Sequence, residues 1–199
     1  NPSPLSEEER FRTVESMIRT DDRRNPLKHL TETSGDEYPS KTLKVLYEYS
    51  QRGERGCAEL LLKRYTDETI YNRETKEWLK YDNGVWVKDS ILNIKWRSQE
   101  FLLYIFTKIA HLAEAQEFRL KQLARDESDN EQEFKREASR YKKYALSFDK
   151  TKKAVTYNKT SDQILALLAT AEDIGTANSD FDQHPLLINL QNGYYDLEQ

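Results

Sequence analysis

The chain has 199 residues, a formal net charge of -4 and one cysteine, with 33% charged and 37% hydrophobic residues. That length suits one domain, or one domain with a small helical extension. The acidic balance argues against wholesale coating of nucleic acid, the lone Cys57 excludes an internal disulfide, and no apolar run approaches the roughly 20 residues that span a bilayer. Asn1-Pro2-Ser3-Pro4 is not a signal peptide. Ser6-Glu7-Glu8-Glu9 reads as a capping box, with Phe11, Val14, Met17 and Ile18 as one apolar helical stripe. Thr20 to Tyr38 is polar, broken by Pro26 and Gly35, and reads as loop with one helical turn near Leu27–Leu30.

Ser40 opens the next expected helix, carrying Leu43, Leu46, Tyr47 and Tyr49. Gly53 and Gly56 punctuate it, and a further helix runs from about Cys57 to Tyr65. Cys57 reads as a small apolar interior residue. The period then changes. Thr69–Asn72, Glu77–Tyr81 and Val85–Lys88 are short and rich in aromatic and β-branched residues. Asn83-Gly84 suits a type I′ turn, in which both residues need positive φ. These three segments predict a small antiparallel meander with Trp78 and Trp86 in its core.

A long helix follows, with Leu102, Phe106, Ile109, Leu112, Ala113, Leu120 and Leu123 on one face through about Arg125. Asp126–Glu131 reads as a turn between antiparallel helices. Phe134, Ala138, Tyr141 and Ala145 resume the stripe. Thr160-Ser161-Asp162-Gln163 reads as a capping box opening a helix through Ile164, Leu165, Leu167 and Leu168. A strand at Leu187–Leu190, a turn at Asn192-Gly193 and a strand at Tyr194–Leu197 close the chain. The expected fold is mainly α with a small antiparallel β-meander, a helical bundle plus hairpins.

Several chemistries find no support. No glycine pair fits the phosphate-cradling pattern G-x-x-x-x-G-K-S/T. His29, His111 and His184 are scattered and, with one cysteine, make no zinc spacing. A two-metal polymerase centre needs carboxylates on adjacent strands, whereas Asp21-Asp22, Asp36-Glu37 and Asp126-Glu127 fall in expected turns. His184-Pro185 reads as a turn. The positive signal is local. Lys135, Arg136, Arg140, Lys142, Lys143, Lys150, Lys152, Lys153 and Lys159 face only Glu137 and Asp149, an excess of seven positive charges in an acidic chain. Tyr141, Tyr144, Phe148 and Tyr157 lie among them. Such a stretch can neutralise phosphates and stack bases. It can equally be a solvated helix face whose aromatics are core, and Tyr141 fits the apolar stripe. These nine cations are the candidate nucleic-acid-binding residues.

Two blocks carry a resemblance. Gly56-Cys57-Ala58-Glu59-Leu60-Leu61 leads to Ile70-Tyr71 and Trp78-Leu79-Lys80-Tyr81-Asp82-Asn83-Gly84-Val85-Trp86. About a hundred positions later comes Phe181 to Leu197, with His184-Pro185-Leu186-Leu187 and Asn192-Gly193-Tyr194-Tyr195-Asp196-Leu197. In this order they resemble the D5 N-terminal-like domain of phage, plasmid and poxvirus primase–helicases, over about Gly53 to Leu197. The resemblance implies residues 53–199 as a helicase-associated domain ending before the ATPase, and residues 1–52 as a helical extension following a primase domain. It implies a non-catalytic replication module joining a primase or primase–polymerase to a hexameric superfamily 3 helicase. The implied partners are single-stranded or forked DNA, the flanking primase and helicase domains of the same polypeptide, and further copies through the helicase ring. No cofactor is expected here, ATP and Mg belonging to the downstream helicase, and the implied location is the cytoplasm of a phage or plasmid host. The missing initiator Met and the stop after Leu197-Glu198-Gln199 fit a piece of a longer protein. Two rivals stay open: an interaction scaffold without DNA affinity, and an independent enzyme with a site the sequence does not reveal.

Overall fold

A computed structural model describes residues 38–66, 68–82, 85–126, 128–178, 181, 187–190 and 193–196. The helix expected from Ser6 and the turn near Leu27–Leu30 lie outside the described residues. Five helices and two small sheets are described: α1 (Tyr38–Gln51), α2 (Glu54–Tyr65), β1 (Thr69–Asn72), β2 (Glu77–Asp82), β3 (Val85–Asp89), α3 (Ile91–Asp126), α4 (Glu131–Val155), α5 (Asn158–Ala169), β4 (Gly175–Thr176), β5 (Leu187–Leu190) and β6 (Gly193–Asp196). A single 3-10 turn, Ser128–Asn130, joins α3 to α4. The expected mainly helical fold with a small sheet is therefore what the chain adopts.

The long pair α3 and α4 forms an antiparallel hairpin. Gln99 Nε2 donates to the Val155 carbonyl at 3.2 Å, and the Phe106 and Phe148 rings lie 6.2 Å apart. The near half of this hairpin holds the core. Ile94, Leu102, Phe106 and Ile109 of α3 and Phe148 and Val155 of α4 are buried with Leu43, Leu46 and Tyr49 of α1, Leu60 and Leu61 of α2, and Ile164 and Leu168 of α5. Thus α1, which precedes the boundary expected at residue 52, packs into the same core as the elements after it. Tyr47 of α1 stacks on Tyr144 of α4 at 4.4 Å, and Ser50 and Ser147 share a hydrogen bond of 2.8 Å beside it.

The meander β3–β2–β1 is antiparallel as expected, with Ile70 opposite Leu79 and Tyr81 opposite Trp86. The register Asp82↔Val85 leaves Asn83 and Gly84 as a two-residue link, which lies outside the described residues. The sheet is mixed, because β4 adds in parallel to β1 through Tyr71↔Gly175. A two-residue strand is too short to give a period-2 signal. Asn72 closes the β1–β2 link: its Oδ1 accepts from the Glu74 and Thr75 amides at 3.0 Å each, and its Nδ2 donates to Asn178 beyond β4.

Three sequence expectations need correction. Trp78 is buried, but Trp86 is only half-buried, edge-on to an exposed Tyr81 at 5.2 Å. The proposed capping box at Thr160 is not one. Helix α5 begins at Asn158, and the Ser161 hydroxyl instead donates to the Val155 carbonyl at 3.0 Å and accepts from Gln99 at 2.8 Å. With Tyr157 at the N-cap position, Thr160 and Gln163 lie inside the helix, where neither can take its part in the box. Helix α3, for which the stripe gave no start, begins at Ile91, about three turns before Leu102, with Ser90 Oγ accepting from the Asn93 amide at 3.0 Å as its cap. In the last hairpin Leu190 pairs with Gly193, so Gly193 is the first residue of β6 rather than part of the turn. Gln191 and Asn192 form that link and lie outside the described residues.

Candidate nucleic-acid interface

Eight of the nine candidate cations lie on α4, and helical pitch sorts them. At about 100° per residue, Lys135, Arg136, Lys142, Lys143, Lys150 and Lys153 fall within an arc of about 120°. The buried residues Ala138, Tyr141, Tyr144, Ala145, Phe148, Thr151 and Val155 occupy the opposite side. One continuous cationic face results, about 27 Å long from Lys135 to Lys153 at ~1.5 Å per residue. Leu146, 63% exposed, sits in its middle.

The other two α4 cations leave this face. Arg140 pairs with Glu137 three residues before it, and Lys152 pairs with Asp149 at 2.6 Å on the flank nearer the core. Lys159 lies on α5. Within the face, Lys135 pairs with Glu131, and Lys143 sits over the Tyr47 ring at 5.7 Å from its centroid. Arg136, Lys142, Lys150 and Lys153 have no carboxylate partner among the described residues. Exposed i,i+3 and i,i+4 pairs are weak, typically below about 1 kcal/mol, so Lys135 remains available to a phosphate.

The aromatics divide differently from the cations. Tyr141, Tyr144 and Phe148 are core side chains, Tyr141 as its spacing implied. Burial raises the Tyr144 phenol above its ordinary pKa, against the lowering influence of Arg140. Of the four aromatics among the cations only Tyr157, at the α4–α5 corner, is exposed. Base stacking on the other three would require unpacking the core.

At its far end the α4 face borders a cleft of about 770 Å³ between the hairpin arms, where Lys121 and Arg125 of α3 approach Lys135 and Lys142 of α4. The small buried side chains Ala124 and Ala138 lie among its lining residues. Sequence reading missed Lys121 and Arg125, because they lie before the turn and outside the basic stretch. Their i,i+4 spacing on the arm facing that stretch was the available signal.

A second cleft, about 340 Å³, lies between α1, α2, α4 and α5 and is lined by Ser50, Glu54, Cys57, Ser147, Lys150 and Thr160 among others. Its thiol is inert. Burial, aided by Glu54, pushes Cys57 from 9.0 up to about 12. Native Cys57 should resist iodoacetamide at pH 8 and react only in denaturant. The raised pKa also sets a pH dependence. The thiol ionises near its ordinary value when unfolded but stays protonated when folded, so stability is undiminished below about pH 9 and falls as pH climbs towards 12. Over that window the loss reaches about 4 kcal/mol. A Cys57→Ala variant should show a flatter alkaline limb in urea melts, and an unchanged limb would contradict the assignment.

Among the described residues no group of three or more His, Cys, Asp or Glu side chains is placed to hold a metal, and no helix is long and apolar enough to cross a membrane. No curated protein matches the chain. Residues 58–199 match the family described as D5 N terminal like, a family of non-catalytic N-terminal domains associated with primase and helicase replication proteins, and the chain belongs to that family.

Proposed function

We propose that this chain is a non-catalytic replication module that links a primase or primase–polymerase to a superfamily 3 helicase and holds single-stranded or forked DNA on the outer face of α4. The carrying observation is the segregation of six cations within one arc of that helix, opposite its buried side. Phosphate contact through such a face is sequence-blind and strongly salt-dependent. The acidic remainder of the chain favours a strand held along one track over a strand wrapped around the whole body.

Anisotropy of a labelled single-stranded oligonucleotide tests this. With about six phosphates engaged, log affinity should fall against log salt with a slope of about -4. Combined Lys142→Glu, Lys143→Glu, Lys150→Glu and Lys153→Glu should weaken binding more than a hundredfold at low salt and leave the melting curve in place, since all four side chains are exposed. Equal binding by parent and variant would remove this surface and favour an interaction scaffold. That second reading has its own observation: Ile91, Leu92 and Trp96 at the start of α3 are 54%, 75% and 60% exposed. Apolar side chains grouped at a surface commonly mark protein contacts.

A further inference from the structure

We propose that the cleft between the distal arms of the α3–α4 hairpin is a single-stranded nucleic-acid subsite, with Arg125 and Lys142 on backbone phosphates and Phe118 stacked on a base. The proposal rests on the nucleic-acid reading of the α4 face and extends it to residues on a second helix.

Charge is the first argument. Four cations line the cleft, Lys121, Arg125, Lys135 and Lys142, against the carboxylates of Glu117 and Glu131. Both carboxylates are already neutralised within their own helices, Glu117 by Lys121 at 2.6 Å and Glu131 by Lys135. Arg125 and Lys142 have no carboxylate partner among the described residues and stand on opposite arms. The surplus of two positive charges matches two phosphodiester groups, each carrying one negative charge. A guanidinium can hold one such group through two parallel hydrogen bonds.

Size and chemistry supply the second argument. A volume of about 770 Å³ lies within the range of small-molecule sites and accommodates nucleotide units. Ala124 and Ala138 keep its lining small, where larger side chains would close the groove. Phe118 stands 63% exposed on α3. At about 100° per residue it shares an arc of about 60° with Lys121 and Arg125. An aromatic ring beside a cationic groove is the combination by which proteins hold single strands irrespective of sequence. It also separates this ligand from a purely acidic run such as polyglutamate, which offers charge but no ring to stack. The cleft joins the α4 face through Lys135 and Lys142, so one strand can run along the helix and turn into the hairpin tip.

Two independent variants test the subsite, with binding of a short labelled oligothymidylate and of an abasic strand of equal length measured on the full 199-residue chain. Phe118→Ala should weaken oligothymidylate binding about tenfold and leave the abasic strand unaffected. Arg125→Gln should flatten the salt slope for both strands by about 0.7, the loss of one phosphate contact. If both variants match the parent while the four-glutamate variant of α4 is impaired, the subsite is overturned and the α4 face stands. If the parent itself binds neither strand, both readings fall together. Equal weakening of the abasic strand by Phe118→Ala would overturn the stacking role. Competition by polyglutamate as effective as by oligothymidylate would overturn nucleic acid as the ligand.

Discussion

A Gly56→Val chain is expected not to fold. Gly56 lies in α2 against α1, and a Cβ placed on it would land on the Tyr49 carbonyl. The obstacle is backbone, and it cannot swing aside as a side-chain end does. Tyr49 is itself fixed, with its ring buried and its carbonyl accepting the Arg52 amide at 3.1 Å in the α1–α2 turn. Relief would require the two helices to part, exposing Leu43, Leu46, Leu60 and Leu61 together. Overpacking of a tight core site costs about 1–3 kcal/mol, and backbone contact belongs at the upper end or beyond. Against a total stability of about 5–15 kcal/mol, Gly56→Ala should lower the melting temperature sharply and Gly56→Val should abolish the cooperative transition. Gly53→Ala is the control. Gly53 has φ of 58° and open space around it, so only backbone strain of about 1–2 kcal/mol is expected. If Gly56→Val melts like Gly53→Ala, the close crossing of α1 and α2 is wrong.

How much of this was legible in the sequence follows from which forces are local. The stripes of α1, α2 and the near half of α3 and α4 were legible, because burial of one helix face imposes its own spacing. Leu43, Leu46 and Tyr49, or Leu102, Phe106 and Ile109, have no other reason to recur as they do. The start of α3 was obscured by Ile91, Leu92 and Trp96, which are apolar but exposed and so blur the stripe that Ile94 and Leu102 continue. Its signal was the cap, Ser90, three residues before the amide of Asn93 that it receives. The apparent capping box at Thr160 failed because α5 starts two residues before it, at Asn158, so that Thr160 falls within the first turn instead of at its cap.

The candidate site was legible as charge and illegible as geometry. Nine cations in one stretch are a fact of composition. Which six share a face follows only once α4 is known to be an unbroken helix from Glu131 to Val155. The contribution proposed for Lys121 and Arg125 depends on the register of the hairpin, which sets them against Lys135 and Lys142 and which the turn signal at Asp126–Glu131 does not fix. Tyr144 and Phe148 likewise looked equally suited to stacking or to core, and Tyr47 and Phe106 decide for core by meeting them from other helices.

Asp89→Ala is expected to cost about 3 kcal/mol, the second largest effect. Asp89 ends β3 and is buried, its side chain 2% exposed. One carboxylate oxygen receives Asn93 Nδ2 and the other receives Arg97 Nη2, both from the first turns of α3. The guanidinium of Arg97 also lies 5.5 Å from the Tyr65 ring centroid, and its Nε is buried without a partner. Removing Asp89 leaves this cation facing an aromatic ring and an emptied site, and stranded buried charges cost about 3–5 kcal/mol. Arg97 retains 27% side-chain exposure, so water relieves part of the loss and the lower end applies. Urea melts of Asp89→Ala, Arg97→Leu and the double variant separate the pair from its burial. The double variant should be more stable than Asp89→Ala alone, because it removes the stranded charge along with its partner. A loss below about 1 kcal/mol in Asp89→Ala would mean that Arg97 reaches solvent freely and the pair does not anchor α3. The anchor bears on function through leverage. Asp89 fixes the root of a helix whose other end carries Lys121 and Arg125, at about 1.5 Å per residue nearly 50 Å away. Variants that loosen the root should therefore weaken oligonucleotide binding only as the folded fraction falls, whereas variants at the tip should weaken it with the fold intact.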